Sequence, residues 1–326
     1  MTPALVLALP GMGGDAERRA GSGLWATPAG RQLAAWLERS RARPLAPGEP
    51  PAALPAFSGY RQRGLARLAA AGDGLPLEGT ALLRADPVYF RADRSRLLVF
   101  GPRVLNLDPA EAEALTARFT AFYADRGWRL QWVTPERWYL ALPREPDIRT
   151  RPLPEVDGRE VEGRLPGGTD ARAWHALLNE IQMLFHDHPV NQARRDAGRP
   201  QANGIWPWGE GEPSALAWPG WSGLWSDDPL DRGMARHAGI DAAPLPEDFA
   251  AWRRAAGAGR HLLVLPDSRQ APDPAARLQD LLESWLVPAW VAPGTGSALY
   301  WGDGRLWYRK AGWRGLLTGL RRWRGP

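Results

Sequence analysis

Four polar side chains between residues 188 and 203 have the types and spacing of a site for an anion: His188, Asn191, Arg194 and Asn203. A guanidinium group presents a planar fork of donors that matches a phosphate or a carboxylate, and Asn amides bond ligand oxygens. We therefore predict that these residues hold a phosphorylated small molecule without a metal. Replacement of Arg194 by Ala would then weaken binding about tenfold. In the structural alternative, Asn191 caps a short helix and Arg194 is solvated or paired with a nearby aspartate.

A second candidate is a metal site at His186 and His188, with Asp187 between them and Asp196 nearby. Neutral imidazoles and carboxylates suit zinc or manganese. Positions i and i+2 of a helix point to different faces, so both imidazoles reach one ion only if the helix has ended, which Pro189 permits. The preferred interpretation makes one histidine a cation at the helix C-terminus and the other a hydrogen-bonded structural residue. We therefore expect no cofactor, with manganese or zinc as the alternative.

The series Gly11-x-Gly13-x-x-Ala16 follows a short apolar run and has the letters of a dinucleotide-binding fingerprint. In a dinucleotide-binding fold, a second apolar strand that ends in an acidic residue comes after the helix. Here residues 41–56 contain five prolines instead. A tight turn between a strand and a loop is therefore the better interpretation.

The run from Arg314 to Arg324 forms a basic amphipathic tail. Its basic residues and its tryptophan are Arg314, Arg321, Arg322, Trp323 and Arg324. Such a tail could bind an acidic protein partner, an anionic lipid surface or RNA, and a solvated tail is the alternative. The formal net charge is +5, but elsewhere the arginines alternate with acidic residues, which disfavours nucleic-acid binding.

The composition is that of a globular protein, with 326 residues of which 44% are hydrophobic and 24% are charged. This length exceeds what one core usually supports, which predicts two domains or one domain with a large insertion. No apolar stretch approaches the roughly 20 residues of a membrane-spanning helix. The chain has no cysteine, which excludes disulfides, thiolate metal sites and a cysteine nucleophile. The first residues lack the basic segment of a secretory signal, so we expect a cytoplasmic protein.

Hydrophobic periodicity and turn signals predict the elements that must position these side chains. Strands are predicted at 3–10, 88–91, 97–100, 130–133, 138–141, 261–265, 298–301 and 305–308. Helices are predicted at 27–40, 58–71 and 108–126, and a long one with a single apolar stripe begins at 169 or 170. Asp108 is the predicted N-cap of its helix and Gly127 the predicted end, and Asp303 lies in the turn of the last hairpin.

The segment between residues 179 and 211 resembles a known family through one continuous series. That series is Asn179-Glu180-Ile181-Gln182-Met183…His186-x-His188-Pro189-Val190-Asn191-x-x-Arg194…Gly198…Asn203-x-x-Trp206-x-Trp208-Gly209-x-Gly211. It is similar to the bacterial RpfE-type regulatory proteins, distant relatives of the archaeal-type cofactor-independent phosphoglycerate mutases of the alkaline phosphatase superfamily. Further matches to the RpfE-type proteins are Asp86-Pro87-Val88, Arg137-Trp138-Tyr139, Asp228-Pro229, Arg232-Gly233 and the Trp/Arg tail.

The resemblance implies an α/β fold: a three-layer, alkaline-phosphatase-like core with an inserted α+β domain. We assign residues 1–78 and 205–326 to the discontinuous core and residues 79–204 to the insert. The resemblance implies the catalytic pattern of the mutases. That pattern consists of two divalent metals, an Asp-Gly after the first strand, a Gly-Ser-Asp nucleophile and a later His/Asp cluster.

This chain departs from the mutase pattern at each catalytic point. The first strand ends in Leu9-Pro10-Gly11 without an aspartate, and the chain has no Gly-Ser-Asp. After the late strand, Pro266-Asp267-Ser268 offers one carboxylate and no histidine. We therefore expect the metal chemistry and the mutase activity to be lost.

The leading hypothesis is a catalytically degenerate, cytoplasmic protein that regulates or binds a phosphorylated ligand and is not an enzyme. The alternative is an active metal-dependent phosphomutase or phosphohydrolase with a rearranged site of Asp267, His261, His186 and His188. Tightly bound manganese or zinc in the purified protein would separate the two. A third hypothesis is a scaffold that binds protein or nucleic acid through the Trp/Arg tail.

Overall fold

The computed structural model of the chain describes residues 4–45, 49–76, 81–94, 96–292 and 296–308. The chain forms two compact units. The first unit combines Met1–Gly59 with Leu216–Pro326, and the second is the continuous segment Tyr60–Ala215. The first unit is thus built from both ends of the chain.

Fourteen α-helices and thirteen strands are assigned among the described residues. The first unit begins with β1 (Ala4–Ala8), α1 (Asp15–Ala20), α2 (Pro28–Glu38), β2 (Arg41–Pro44), α3 (Pro50–Ala53) and α4 (Pro55–Ser58). The second unit contains α5 (Leu65–Asp73), β3 (Ala81–Asp93), β4 (Arg96–Phe100), α6 (Pro102–Leu105), α7 (Pro109–Phe122), β5 (Arg129–Thr134), β6 (Arg137–Leu142), α8 (Leu153–Val156), β7 (Arg159–Glu160), α9 (Ala171–His186), α10 (Pro189–Asp196) and β8 (Gly204–Trp208). The first unit is completed by β9 (Gly223–Trp225), α11 (Pro229–His237), β10 (Asp241–Ala243), α12 (Phe249–Ala255), β11 (Arg260–Val264), α13 (Pro274–Leu281), α14 (Val287–Val291), β12 (Gly296–Tyr300) and β13 (Arg305–Tyr308).

A seven-stranded sheet forms the centre of the first unit, in the order β10-β9-β11-β1-β12-β13-β2. The strand β1 lies parallel between β11 and β12 and pairs with both along its whole length. The strands β13 and β2 add an antiparallel edge. Because β1 is covered on both faces, its sequence is a continuous apolar run rather than an alternating one.

Both faces of this sheet are covered by other elements. Leu5, Leu7 and Leu9 point to one face and pack with buried residues of α2, α12, α13 and α14. Ala8 pairs with Tyr300, which therefore points to the opposite face, where its ring lies 4.8 Å from that of Phe57. The unit is accordingly a helix–sheet–helix arrangement.

The second unit is built on β3, which is longer than the predicted strand at 88–91. It pairs in turn with β6, β8 and β4, all antiparallel. The helices α7 and α9 bury their apolar stripes against this sheet. Both α5, which precedes residue 79, and β8, which extends beyond residue 204, contact β3. The second unit, Tyr60–Ala215, is therefore longer at both ends than the predicted insert at 79–204.

Several helix limits follow directly from sequence signals. Thr27 caps α2 by accepting a hydrogen bond from Gly30 N at 3.0 Å, and Asp108 caps α7 in a reciprocal capping box with Glu111. The α-helix α7 ends at Phe122, earlier than predicted, because residues 124–126 form a 3-10 turn that Gly127 closes. The predicted hairpin is confirmed, since β12 and β13 pair antiparallel.

The helix predicted at 58–71 is wrong in its first half. Gly59 has φ +76° and Gly64 has φ +69°, which are left-handed conformations that interrupt a helix. The continuous helix α5 begins only at Leu65. Among the described residues no helix is long and apolar enough to cross a membrane. The basic tail, with Arg314, Arg321, Arg322, Trp323 and Arg324, lies outside the described residues.

Candidate functional site

His188 stands at the start of α10, directly after α9. It is the N-cap residue, and its ring Nδ1 accepts a hydrogen bond from Val190 N at 3.2 Å. Burial lowers the pKa of the His188 imidazole, and the nearby Arg118 guanidinium lowers that pKa further. The side chain is therefore held as a neutral acceptor at the helix end.

Asn191 and Asn203 fasten the chain on either side of the loop before β8. Asn191 is fully buried and donates from Nδ2 to Phe185 O (2.8 Å) and Ala202 O (2.9 Å), and its Oδ1 accepts from Ala202 N (3.0 Å). The Asn203 amide makes two bonds to the backbone of Phe90, accepting from N at 2.7 Å and donating to O at 2.9 Å. Both amides therefore satisfy backbone groups that would otherwise be buried without partners.

Arg194 is almost completely buried, at 1% exposure. Its Nη1 donates to Glu111 Oε2 at 2.7 Å, its Nε donates to Pro200 O at 2.7 Å, and its Nη2 donates to Leu105 O. The pairing partner is thus Glu111 of α7, and neither Asp187 nor Asp196. The guanidinium connects α10 to α6 and α7.

The structure thus brings Asn191 and Arg194 together on α10, with His188 at the start of the helix, and directs Asn203 towards β3. All four side chains have internal partners. Their contacts favour a structural role, and ligand binding by these residues stays a prediction.

His186 and His188 lie on either side of the junction between α9 and α10. His186 is the last residue of α9, and its side chain is exposed, whereas His188 caps the next helix. Within the described ranges, no group of three or more histidine, aspartate or glutamate side chains is placed to hold a metal ion.

At the carboxyl end of β11, Asp267 is enclosed by polar partners. Its carboxylate accepts from Arg269 Nε at 3.2 Å and Nη2 at 3.0 Å, and also from Arg269 N at 3.0 Å. The neighbouring β1 leads into Gly11, which has φ +81°, and a Cβ there would lie 1.9 Å from Asp267 Oδ1. The left-handed backbone conformation favours glycine at residue 11, and a larger residue there would also displace the Asp267 carboxylate.

His261 lies at the other end of β11. It pairs with Leu5 at the start of β1. Asp267 follows it by six positions, which in extended chain span roughly 20 Å. The Nδ1 of His261 accepts from Trp225 Nε1 at 3.3 Å, so its Nε2 carries the proton shared with Gly257 O at 3.0 Å. His261 and Asp267 therefore cannot ligate one ion. The alternative site of Asp267, His261, His186 and His188 would require them to do so.

A buried acid and hydroxyl pair follows β9, and sequence reasoning missed it. Ser226 Oγ donates to Asp231 Oδ2 at 2.8 Å and accepts from Asp228 N at 3.1 Å. Ser226 and Asp231 are 2% and 3% exposed. The Asp228-Pro229 cap signal could have placed Asp231 in the first turn of α11. Burial, and secondly the Asp228 charge, raise the pKa of the Asp231 carboxyl well above its ordinary value.

We expect Asp231→Asn to stabilise the protein at pH 7, with a gain that shrinks towards pH 4. A carboxyl whose pKa is raised by folding binds its proton more tightly in the native state, so its stabilisation is present below its ordinary pKa of 3.8 and is lost as pH rises through the folded pKa. Asn keeps an acceptor for Ser226 and does not ionise. Urea unfolding at pH 4, 5.5 and 7 measures the difference, with exposed Asp125→Asn as control; an equal gain at every pH would contradict this explanation.

Comparison with known proteins finds partial sequence similarity to phosphoglycerate mutases. No protein-family model matches the chain. A segment of 60 residues, 18% of the chain, is 35% identical to 15% of the 2,3-bisphosphoglycerate-independent phosphoglycerate mutase of Methanosarcina barkeri. A longer match of 237 residues, 64% of the chain, is 27% identical to 57% of the 2,3-bisphosphoglycerate-independent phosphoglycerate mutase 2 of Methanothermobacter thermautotrophicus. The chain thus matches less than two thirds of the length of these curated relatives.

Among solved structures, the PH0037 protein of Pyrococcus horikoshii shares the fold over 94% of this chain and 87% of its own, with a TM-score of 0.54 and 14% sequence identity. The predicted α/β fold class is confirmed. The sequence matches add that the chain is a distant homologue of the archaeal-type cofactor-independent phosphoglycerate mutases.

Proposed function

We propose that this protein is a bacterial RpfE-type regulatory protein of the cytoplasm, a catalytically degenerate relative of the phosphoglycerate mutases that binds a phosphorylated small molecule. The observation that carries the proposal is the ion pair of Asp267 with Arg269 at the carboxyl end of β11, beside Gly11. Ligand sites of open α/β sheets lie at this edge.

The residues at this edge do not fit a two-metal centre. The resemblance implies an aspartate after the first strand, but Pro10 and Gly11 stand there. The carboxylate of Asp267, only 14% exposed, has both oxygens engaged by a guanidinium, so a divalent cation would have to compete with an ion pair already formed. A positive charge that belongs to the chain thus stands beside the carboxylate in place of a metal.

The nearby Ser226 does not replace the missing nucleophile. Its hydroxyl is buried and bonded to Asp231, as described above, which leaves a phosphorylated substrate no access to the oxygen. Nucleophilic catalysis needs a hydroxyl within reach of both a base and the reacting group. These contacts support binding without turnover.

We expect the purified protein, supplied with manganese, to show no interconversion of 3-phosphoglycerate and 2-phosphoglycerate. The Methanosarcina mazei phosphoglycerate mutase, which is 33% identical over 60 residues, prepared and assayed in the same way, is the positive control. Metal content of the protein as purified is measured in parallel. Robust turnover that a chelator abolishes, or two tightly held manganese or zinc ions per chain, would instead establish the metal-dependent phosphomutase.

A further inference from the structure

A cavity of about 330 Å³ opens in the first unit at the amino ends of β1, β11 and β12. Its apolar lining includes Val6, Ala298 and Leu306, and its polar lining includes Arg43, Arg260 and Tyr308. This volume lies at the lower end of the range of small-molecule sites. The cavity is at the opposite end of the strands from Asp267 and Arg269.

The two arginines of the cavity share one carboxylate. Arg43 donates from Nη1 and Nη2 to Glu49 at 2.9 and 2.8 Å, and Arg260 Nη2 donates to Glu49 Oε1 at 2.8 Å. Among the described residues, this cluster of two guanidinium groups and one carboxylate has a net charge of +1. The cavity therefore favours an anion, and Glu49 holds both guanidinium groups close to it.

The Arg260 guanidinium also packs over the ring of Trp221. Its Cζ lies 3.9 Å from the ring centroid of Trp221, a cation–π contact that restricts its rotation. Of the three side-chain nitrogens of Arg260, only Nη2 donates to Glu49 among the described residues. A preorganised guanidinium with remaining donors is suited to a phosphate, because little side-chain freedom is lost when the anion binds.

We propose that this cavity binds a small organic phosphate, with the phosphate at Arg43 and Arg260 and the apolar body against Val6, Ala298 and Leu306. Inorganic phosphate would leave the apolar lining uncovered, and a neutral ring would leave the net charge unmatched. The proposal extends the ligand-binding part of the proposed function, and it is tested by binding alone, so that its failure does not affect the activity assay.

The test is titration calorimetry of the full chain with phenyl phosphate, which carries a phosphate and an apolar ring. We expect one site per chain, with inorganic phosphate and phenol each binding about tenfold more weakly. Arg43→Gln and Arg260→Gln should each weaken phenyl phosphate binding about tenfold, since each removes a charge-assisted bond. Arg277→Gln, in which an exposed arginine paired with Asp280 is changed, is the matched control and should bind as the wild type does.

A filling variant keeps the test decisive if either arginine variant is misfolded. Ala298→Leu retains both guanidinium groups and places a larger side chain in the cavity, so we expect it to abolish binding. Absence of heat with the wild type would overturn the proposal. Binding that survives Ala298→Leu in a folded protein, or that is equally strong for inorganic phosphate, would also overturn it, whatever the activity assay shows.

Discussion

Replacement of Arg194 by Ala is expected to lower the free energy of unfolding by about 3 kcal/mol, because removing one partner of a buried ion pair leaves the other partner uncompensated. The variant loses the bond to Glu111 and also leaves the carbonyls of Leu105 and Pro200 without their donor. Since Glu111 is 13% exposed and Arg199 also approaches it, we place the loss at the low end of the range for buried pairs.

Chemical denaturation of the full chain measures this change. Arg195→Ala, which alters the next residue, whose side chain is exposed, is the matched control and should stay within about 0.5 kcal/mol of the wild type. An Arg194→Ala protein of unchanged stability that binds a phosphorylated ligand about tenfold more weakly would contradict the structural role and support the ligand site predicted from the sequence.

Asp86→Ala is expected to lower the free energy of unfolding by about 3–5 kcal/mol, because the buried Asp86 carboxylate accepts hydrogen bonds from three residues of the second unit. At 2% exposure, its carboxylate accepts from Arg84 Nη2 at 2.6 Å, from Trp138 N at 3.2 Å and from Trp208 Nε1 at 2.9 Å. The change removes the acceptor for a backbone donor and an indole donor, and it leaves a guanidinium between two aromatic rings without this carboxylate.

The matched control is Asp93→Ala, at the exposed end of the same strand, where a loss below about 0.5 kcal/mol is expected. Thermal and urea unfolding of both variants give the comparison. If Asp86→Ala lowers the free energy of unfolding as little as the control does, the three donors find other acceptors and Asp86 does not stabilise the sheet.

Local signals predicted the elements whose limits depend on nearby residues. The caps at Thr27 and Asp108 and the hairpin around Asp303 are set by hydrogen bonds that span three to four residues, and the sequence shows both partners. The strand β3 was predicted too short because Asp86 and Pro87 are typical of turns. In the structure, β8 pairs with this stretch and Asp86 is buried by the polar contacts it makes.

Residue types alone singled out the side chains of the candidate site. Their hydrogen-bond partners could not be predicted from the sequence. Arg194 and Asn203 were selected for donors that suit an anion. Their actual partners, Glu111 and Phe90, lie 83 and 113 residues away in the chain, beyond what spacing within one segment can indicate. The cavity at Arg43 and Arg260 was missed for the same reason, because 211 residues separate Arg260 from Glu49.

The position of β1 between β11 and β12 has a consequence for biosynthesis. The strand β1 is translated before the segment Tyr60–Ala215, whereas its partners Arg260–Val264 and Gly296–Tyr300 are translated after it. The segment Tyr60–Ala215 can collapse while translation continues, whereas the nascent apolar strand has no native neighbour until Arg260–Val264 has been translated. Such delayed, long-range pairing exposes an aggregation-prone edge. A nonsense mutation between Val264 and Gly296 would therefore leave β1 without one of its two neighbours and expose that edge permanently.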